Sequence, residues 1–487
     1  MPMKQLDLLN KIPLRLPLSV VVYISKLRDF NLIRVAALVL VVIGFVALRV
    51  EFADGLINVD ENIAPAVARS MVERGDLNAN WRLAESIQSY FKYDMHNFYS
   101  YNLFAILFLK STENETITAL RAANIVLQLG ALAFVWLALR NAGVSFWRRI
   151  YTAVGLAVLP TMAFDAHIAR TESLLYFLTA AVIFVASTNR TALFQWTVSG
   201  LLIGVGMASK LTFVAIALIF LPDGLKLLKI QPARTVFWCG AATITMLVGF
   251  ASTSPYSFIE PNVFLHGVQK LMEQYSTGHL PYSNPGTGLI QWASHLALFA
   301  TGITGTAWLT LRTPLRSSPS WMAGLAVMAA VTCMYFATKP VFFERNISLA
   351  LMASVIVAYG LPRGRVASIA LATSLLMMTY WSVSIAQLAA TRGSQMTEWE
   401  QAKFGPNLTY SVTRTWPNFD TRGFLARCGQ GIVGVNDFGD DTSRRIMEEI
   451  GEKPIATRKG RFSLLPTSTL NLYLETTVNY YQCRGGS

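Results

Sequence analysis

The chain has 487 residues, of which 53% are hydrophobic and only 14% charged, and a net charge of +13. A mean hydropathy of +0.42 and repeated apolar runs near the ~20 residues that a membrane span requires exclude a purely soluble protein. The positive charge comes without any nucleic-acid motif, so it is assigned to membrane topology and anionic lipid, and no nucleic-acid partner is expected.

Residues 1–30 place Lys4, Lys11, Arg15, Lys26 and Arg28 around a short apolar run with no small-residue cleavage site. They read as a basic, cytoplasmic membrane-surface segment. About eleven spans follow, at 32–50, 119–139, 150–165, 173–188, 194–208, 211–224, 235–253, 288–311, 320–337, 346–361 and 366–388. Ser209-Lys210 interrupts the fifth and sixth, which form either one broken helix or two short ones. With the N-terminus inside, Arg140/Arg148/Arg149, Arg190, Lys226/Lys229/Arg234, Arg312/Arg316 and Arg363/Arg365 fall in cytoplasmic loops, as the positive-inside rule requires. Loops 51–118, 166–172, 254–287 and 338–345 and the tail 389–487 then lie outside.

The expected fold is an all-α polytopic membrane protein with a small C-terminal α/β extracytoplasmic domain. Its parts are the segment 1–30, a membrane domain over 31–388 with a structured first outer loop at 51–118, and a soluble domain over 389–487. The tail alternates apolar strands such as Gly431–Val435 with a polar helix near Asp441–Ile450. Cys428 and Cys483 both fall there, and an oxidising compartment could join them. Cys239 and Cys333 lie in spans, where a buried free thiol is the ordinary state.

The spans are nearly free of charge, and polar residues crowd the outer loops. Asp60-Glu61 stands just after the first span. Carboxylates beside hydrocarbon point to function, although Asp60 could simply cap the amphipathic helix predicted over Asp60–Arg74. That helix places Ile63, Ala66, Val67, Ser70 and Met71 on one side and stops at Gly75-Asp76. A second loop helix is predicted over Asn97–Leu109, after His96. The aromatic residues around them anchor at headgroup depth or stack on a sugar. The second outer loop holds Asp165, His167, Arg170 and Glu172. Lys210 follows, then Tyr256 in Ser254-Pro255-Tyr256, His279, and Lys339 with Glu344-Arg345. Lysines and arginines at span ends commonly snorkel. Together, however, they put carboxylates and cations on one membrane face. A carboxylate can take a proton from a hydroxyl acceptor, and Arg and Lys can stabilise a phosphate leaving group.

This set resembles the integral-membrane glycosyltransferases of the GT-C superfamily, in particular the family 39 group of protein O-mannosyltransferases and aminoarabinose transferases. The resemblance covers most of 30–390 and rests on Asp60-Glu61, Gly75-Asp76, Ala169-Arg170-Thr171-Glu172, Ser209-Lys210, Ser254-Pro255-Tyr256 with Gly278-His279, and Glu344-Arg345. It implies an enzyme that moves a sugar, with inversion, from a polyprenyl-phosphate donor to a hydroxyl of an envelope lipid, glycan or protein. The implied site is in the outer face of a membrane, expected to be the bacterial inner membrane.

Asp60 is then the catalytic base, with Glu61 orienting the acceptor or a cation beside it. Arg170, Lys210, Arg345 and Lys339 hold the donor phosphate, and Glu172, His167, His96, Tyr256 and His279 are substrate-binding candidates. No motif calls for a cofactor. A divalent metal ion near Asp60 is compatible with the superfamily, although no ligand set is evident. The chain departs from its relatives in having Met95-His96-Asn97-Phe98 where many carry a His-Pro-Pro-like segment, and Arg345-Asn346 where many carry Arg-Tyr. The alternative is a transporter or flippase of a lipid-linked substrate, for which charged or broken spans would be the mark. Only the Ser209-Lys210 break offers one.

Overall fold

The computed structural model describes residues 18–50, 59–84, 94–277, 318–339, 344–361, 364–405, 408–412, 431–437, 447–448, 451, 453–462 and 474–482. Helix α1 (Leu18–Ala47) is followed by the loop that the basic-residue pattern assigns as the first outer loop, which contains a 3-10 turn (Val59–Asn62), α2 (Ile63–Arg74) and α3 (Tyr99–Ile106). Then come α4 (Glu113–Asn141), α5 (Phe146–Ala157), α6 (Pro160–Ala166), α7 (Glu172–Ala186) and α8 (Ala192–Ser209). A 3-10 helix (Leu211–Phe220) leads into α9 (Leu221–Ile230), α10 (Pro232–Thr253), α11 (Tyr256–Ile259) and α12 (Pro261–Thr277). Helices α13 (Ser320–Ala337), α14 (Ser348–Gly360) and α15 (Arg365–Phe404) complete the helical part.

Six stretches among the described residues are long and apolar enough to cross a membrane: Glu113–Asn141, Ala192–Ser209, Leu211–Ile230, Pro232–Thr253, Ser320–Ala337 and Arg365–Ser384. Shorter apolar helices are Leu32–Ala47, Glu172–Ala186 and Ser348–Gly360. The chain is an integral membrane protein, and the expected span 288–311 lies outside the described residues. The expected span 150–165 is divided into α5 and α6. Pro160 lacks an N–H and disfavours a helical residue before it, and Leu159 is accordingly extended (φ −69°, ψ 116°). The Ser209-Lys210 interruption resolves into two elements, with Lys210 extended between them (φ −154°, ψ 108°). Helix α4 starts earlier than its apolar run because Thr112 and Glu115 form a capping box, with the Glu115 N–H donating to Thr112 Oγ1 at 3.2 Å and the Thr112 N–H to Glu115 Oε2 at 3.1 Å.

The main core gathers α4, α5, α7, α13 and α14 around residues such as Leu120, Val135, Leu156, Tyr176, Met322 and Ile356. A second core under the first outer loop joins Ile63, Val67, Met71, Trp81, Met95 and Tyr99 to Ala208 and Phe250. The amphipathic side expected for α2 is the buried one. Its N-cap position is Asn62, two residues after Asp60, and it ends at Gly75 in the left-handed region (φ 69°) with the Asp76 N–H donating to Met71 O.

Helices α8 and α10 form the most extensive helix pair. A side chain at Gly200, Gly204 or Gly249 would collide with the backbone carbonyls of Ala242, Met246 or Leu201 respectively. This is small-residue packing of the membrane kind. Cys239 on α10 is exposed rather than buried, because that helix turns most of its surface outward.

Beyond α15, four strands β1 (Leu408–Val412), β2 (Ile432–Asp437), β3 (Ala456–Phe462) and β4 (Leu474–Gln482) form a mixed sheet in the order β1-β2-β4-β3. The β1/β2 pair is parallel and the other two pairs are antiparallel. The strand expected at Gly431–Val435 is β2. Only 447–448 of the expected polar helix are described, and Cys428 and Cys483 lie outside the described residues. Phe404 at the end of α15 packs on Tyr480 of β4, with ring centroids 4.7 Å apart.

Replacing Gly204 by Leu is expected to destabilise the protein by about 1–3 kcal/mol or more, as overpacking does. Thermal unfolding in detergent checks this, and an unchanged melting temperature would show that α8 and α10 can separate freely.

Candidate active site

Arg121, Asn124 and Gln128 repeat at helical spacing along α4 and are all buried. This polar stripe ties three outer segments to one helix. Arg121 donates from Nε to Glu61 Oε1 and from Nη2 to Glu61 Oε2, both at 2.9 Å. Glu61 Oε1 also accepts the Ala169 N–H at 2.8 Å. Asn124 donates to Ile168 O at 2.7 Å and accepts from the Tyr101 hydroxyl at 3.2 Å. Gln128 donates to Met162 O at 2.8 Å and to Ser173 Oγ at 3.0 Å, and accepts from Arg49 Nε at 2.9 Å. Arg49 also donates to Phe45 O and Ala157 O, both at 3.0 Å. His167 Nε2 bonds Leu48 O at 3.0 Å, closing the second outer loop onto the end of α1.

Beside this stripe lies a buried charge network. Arg170 pairs with Asp165 at 3.1 Å and with Glu172 at 3.1 Å, and the Tyr176 hydroxyl donates to Asp165 Oδ2 at 2.8 Å. Lys210 reaches inward: its Nζ lies 3.7 Å from Glu172 Oε1 and donates to Arg345 O at 2.9 Å. Arg345 adds its own positive field at Glu172. Three cations, Arg170, Lys210 and Arg345, are thus gathered around the carboxylates of Asp165 and Glu172. Next to them opens a narrow cleft of ≈ 20 Å³, lined by Lys210, Thr212, Arg345, Asn346 and Ser348 and walled by apolar residues that include Ile216 and Met328.

The first outer loop is latched to the segment after α10 through Glu260. Its carboxylate accepts from Asn78 Nδ2 at 3.2 Å and bonds His96 Nε2 at 3.2 Å. His96 also stacks on Tyr99, 6.1 Å between centroids, and is paired with Asn80 in an isolated bridge. Phe98, next in line, holds a left-handed backbone (φ 55°). Such strain costs a non-glycine residue about 1–3 kcal/mol. It is braced by the Phe98 N–H donating to Asn97 Oδ1 at 2.9 Å and by Asn102 Nδ2 donating to Asn97 O at 3.0 Å. Burial pushes the His96 imidazole below its ordinary range, against the opposing pull of Glu260.

Of the residues expected from sequence, the structure brings Glu61, His167, Arg170, Glu172, Lys210 and Arg345 to one end of the helices. Glu61 has both oxygens engaged by Arg121 and Ala169, an arrangement that holds the loop. It does not fit a metal ligand, and among the described residues no three His, Cys, Asp or Glu side chains converge on a metal site. The Asp60 backbone lies in the 3-10 turn, but its side chain is outside the described residues, as are the Glu344 side chain and all of His279. His96 belongs to the Glu260 latch, and Tyr256 packs on the core beneath the first outer loop. Lys339 stands over the Tyr335 ring at 4.9 Å and is not among the cleft-lining residues. Arg121, Glu260 and Asn346 join the site only in the folded structure. For Arg121 the signal was present: a charge inside a span faces the protein interior, and the 121/124/128 spacing marks that face.

Removing one member of a buried ion pair strands the other, at about 3–5 kcal/mol. Arg121→Met is therefore expected to lower the unfolding temperature more than the double variant Glu61→Gln/Arg121→Met. Equal losses would mean that the pair is not what holds the turn. For His96 the folded pKa is depressed, so its contribution is complete above the unfolded value of ~6.5 and is lost as pH falls through that range. The melting temperature of the wild type should drop more steeply between about pH 7.5 and 5.5 than that of His96→Gln. Parallel curves would assign the acid sensitivity to another group.

No protein-family profile and no curated protein matches the chain. Solved structures do. ArnT from Cupriavidus metallidurans bound to undecaprenyl phosphate matches with a TM-score of 0.57 at 13% identity, over 93% of this chain and 98% of that one. The apo form of the same protein gives 0.56 at 13% identity with the same coverage. The Archaeoglobus fulgidus oligosaccharyltransferase gives 0.43 at 11% identity, over 77% of this chain and 58% of that one, too low to carry an argument. The chain shares the fold of these ArnT structures.

Proposed function

We propose that the protein is an inverting glycosyltransferase that moves a sugar from a polyprenyl-phosphate donor to a hydroxyl of an envelope lipid, glycan or protein. The observation that carries this reading is the cleft. Lys210 and Arg345 stand at the polar end of an apolar-walled opening, with Glu172 and Arg170 buried behind Lys210. That is the chemistry that receives one anionic group on a lipid tail. The likeness in fold to ArnT, whose structure was solved with undecaprenyl phosphate, supports the same reading.

In this reading Asp60 takes the proton of the acceptor hydroxyl. The acceptor oxygen attacks the anomeric carbon from the face opposite the phosphate, the bond from that carbon to the phosphate oxygen breaks, and the configuration inverts. Polyprenyl phosphate leaves with its negative charge held by Lys210 and Arg345. Arg170 and Glu172 hold Lys210 in place from behind. Glu61, locked to Arg121, positions the turn that carries Asp60. No step requires a metal. The site would face the periplasm from a bacterial inner membrane, with segment 1–30 cytoplasmic, the membrane domain over 31–388 and the tail 389–487 on the outer side.

Radiolabelled polyprenyl-phosphate sugars offered to the purified protein test this. Wild type should transfer or slowly hydrolyse one of them. Asp60→Asn should lose about 10²-fold or more of that activity with its melting temperature kept. Lys210→Ala and Arg345→Ala should impair donor use more than acceptor use. Undiminished turnover by Asp60→Asn would remove it as the base, and donor binding with lipid flipping but no turnover would favour a flippase.

A further inference from the structure

The cleft contains a hydrogen-bond donor that nothing among the described residues satisfies. Asn346 is 6% exposed and lines the opening with Lys210 and Arg345. Its Oδ1 accepts from the Tyr275 hydroxyl at 3.1 Å, which fixes the amide plane. Its Nδ2 is buried and has no hydrogen-bond partner among the described residues. Buried amide groups are almost always paired, so an empty one in a cleft wall marks a partner yet to arrive. That partner must accept a hydrogen bond. The neighbouring cations require it to be an anion, and the apolar walls require it to carry a hydrocarbon tail.

The position of Asn346 is well defined. It ends the 3-10 turn Glu344–Asn346, and the carbonyl of Arg345 accepts from both Lys210 Nζ at 2.9 Å and Ser348 Oγ at 3.0 Å. The same two hydrogen bonds that place Lys210 therefore place the amide. Tyr275 comes from α12, so the outer amphipathic helix is joined to the cleft through this one side chain. A neutral amide adds a directed donor without adding charge, and so recognises an oxygen in a particular place rather than an anion in general.

We propose that Asn346 is a further donor-binding residue, giving its Nδ2 hydrogen bond to a phosphate oxygen of the lipid-linked donor, with Tyr275 as its positioning residue. This rests on the reading of the cleft as a lipid-phosphate site.

The test uses the full chain in detergent and three probes: undecaprenyl phosphate, the corresponding alcohol undecaprenol, and inorganic phosphate. Binding and ligand-free melting temperature are measured for wild type, Asn346→Ala, Asn346→Asp, Tyr275→Phe and Lys210→Ala. Wild type should prefer undecaprenyl phosphate to both other probes. Asn346→Ala should weaken the phospholipid roughly 10- to 100-fold, as loss of a hydrogen bond to a charged group does, with undecaprenol binding and melting temperature unchanged. Asn346→Asp, which keeps the shape but offers a carboxylate, should weaken it at least as much, and it decides the question if the alanine variant does not fold. Tyr275→Phe should reduce the preference for phosphate over alcohol, which a purely structural role would leave intact. Wild-type affinity in both Asn346 variants while Lys210→Ala is weakened would overturn this inference and leave the cleft reading standing. A wild type that binds phosphate and alcohol alike, or inorganic phosphate as tightly as the lipid, would overturn the cleft reading and this inference with it.

Discussion

A guanidinium inside a membrane helix is tolerable only when it is paired and hydrogen-bonded, and Arg121 meets that condition through one carboxylate. Glu61 answers it with both oxygens and then accepts the Ala169 N–H as well. Three segments far apart in sequence are thereby forced to one point: the turn after the first helix, the outer part of α4, and the loop before α7. The rest of the outer end depends on that convergence. Asn124 and Gln128, one and two turns further along α4, fasten the backbone of the same loop at Ile168 and of α6 at Met162. The loop thus held carries Arg170 and Glu172, and Glu172 draws Lys210 inward.

The division of labour between helices follows from this. Helix α4 has a polar side because it organises the outer segments, whereas α8 and α10 meet through glycines and need no polar contact there. The first outer loop is a small structure in its own right, with a core of Ile63, Val67, Met71, Trp81 and Tyr99 resting on Ala208 and Phe250. Glu260 joins it to the α12 side, and Tyr275 joins α12 to the cleft.

Much of this was legible in the sequence because its causes are local. Apolar length marked the spans, Gly75-Asp76 stopped α2, and the Ser209-Lys210 break separated α8 from the next element. Residues with no business in hydrocarbon, such as Glu172 and Lys210, declared themselves by type. What was hidden depended on partners distant in sequence. The average composition of its span conceals Arg121, one charge at helical spacing from two amides. Lys210 reads as a snorkelling lysine until Glu172 is placed within reach. Glu260 has no distinguishing neighbours in sequence, and its role exists only where His96 and Asn78 arrive. Asn346 was visible as a departure from Arg-Tyr, but its unpaired amide is a property of packing.

The two cations that line the cleft, Lys210 and Arg345, also bear on how the reaction would end. A sugar phosphodiester carries one negative charge. The spent carrier is a phosphate monoester with about −1.5 to −2 charge near neutral pH, and it keeps the same tail. It would therefore be held by Lys210 and Arg345 more firmly than the substrate that produced it. Turnover by such an enzyme would be limited by departure of its own product, and the rate in a membrane would follow how fast the lipid pool clears that carrier from the outer leaflet.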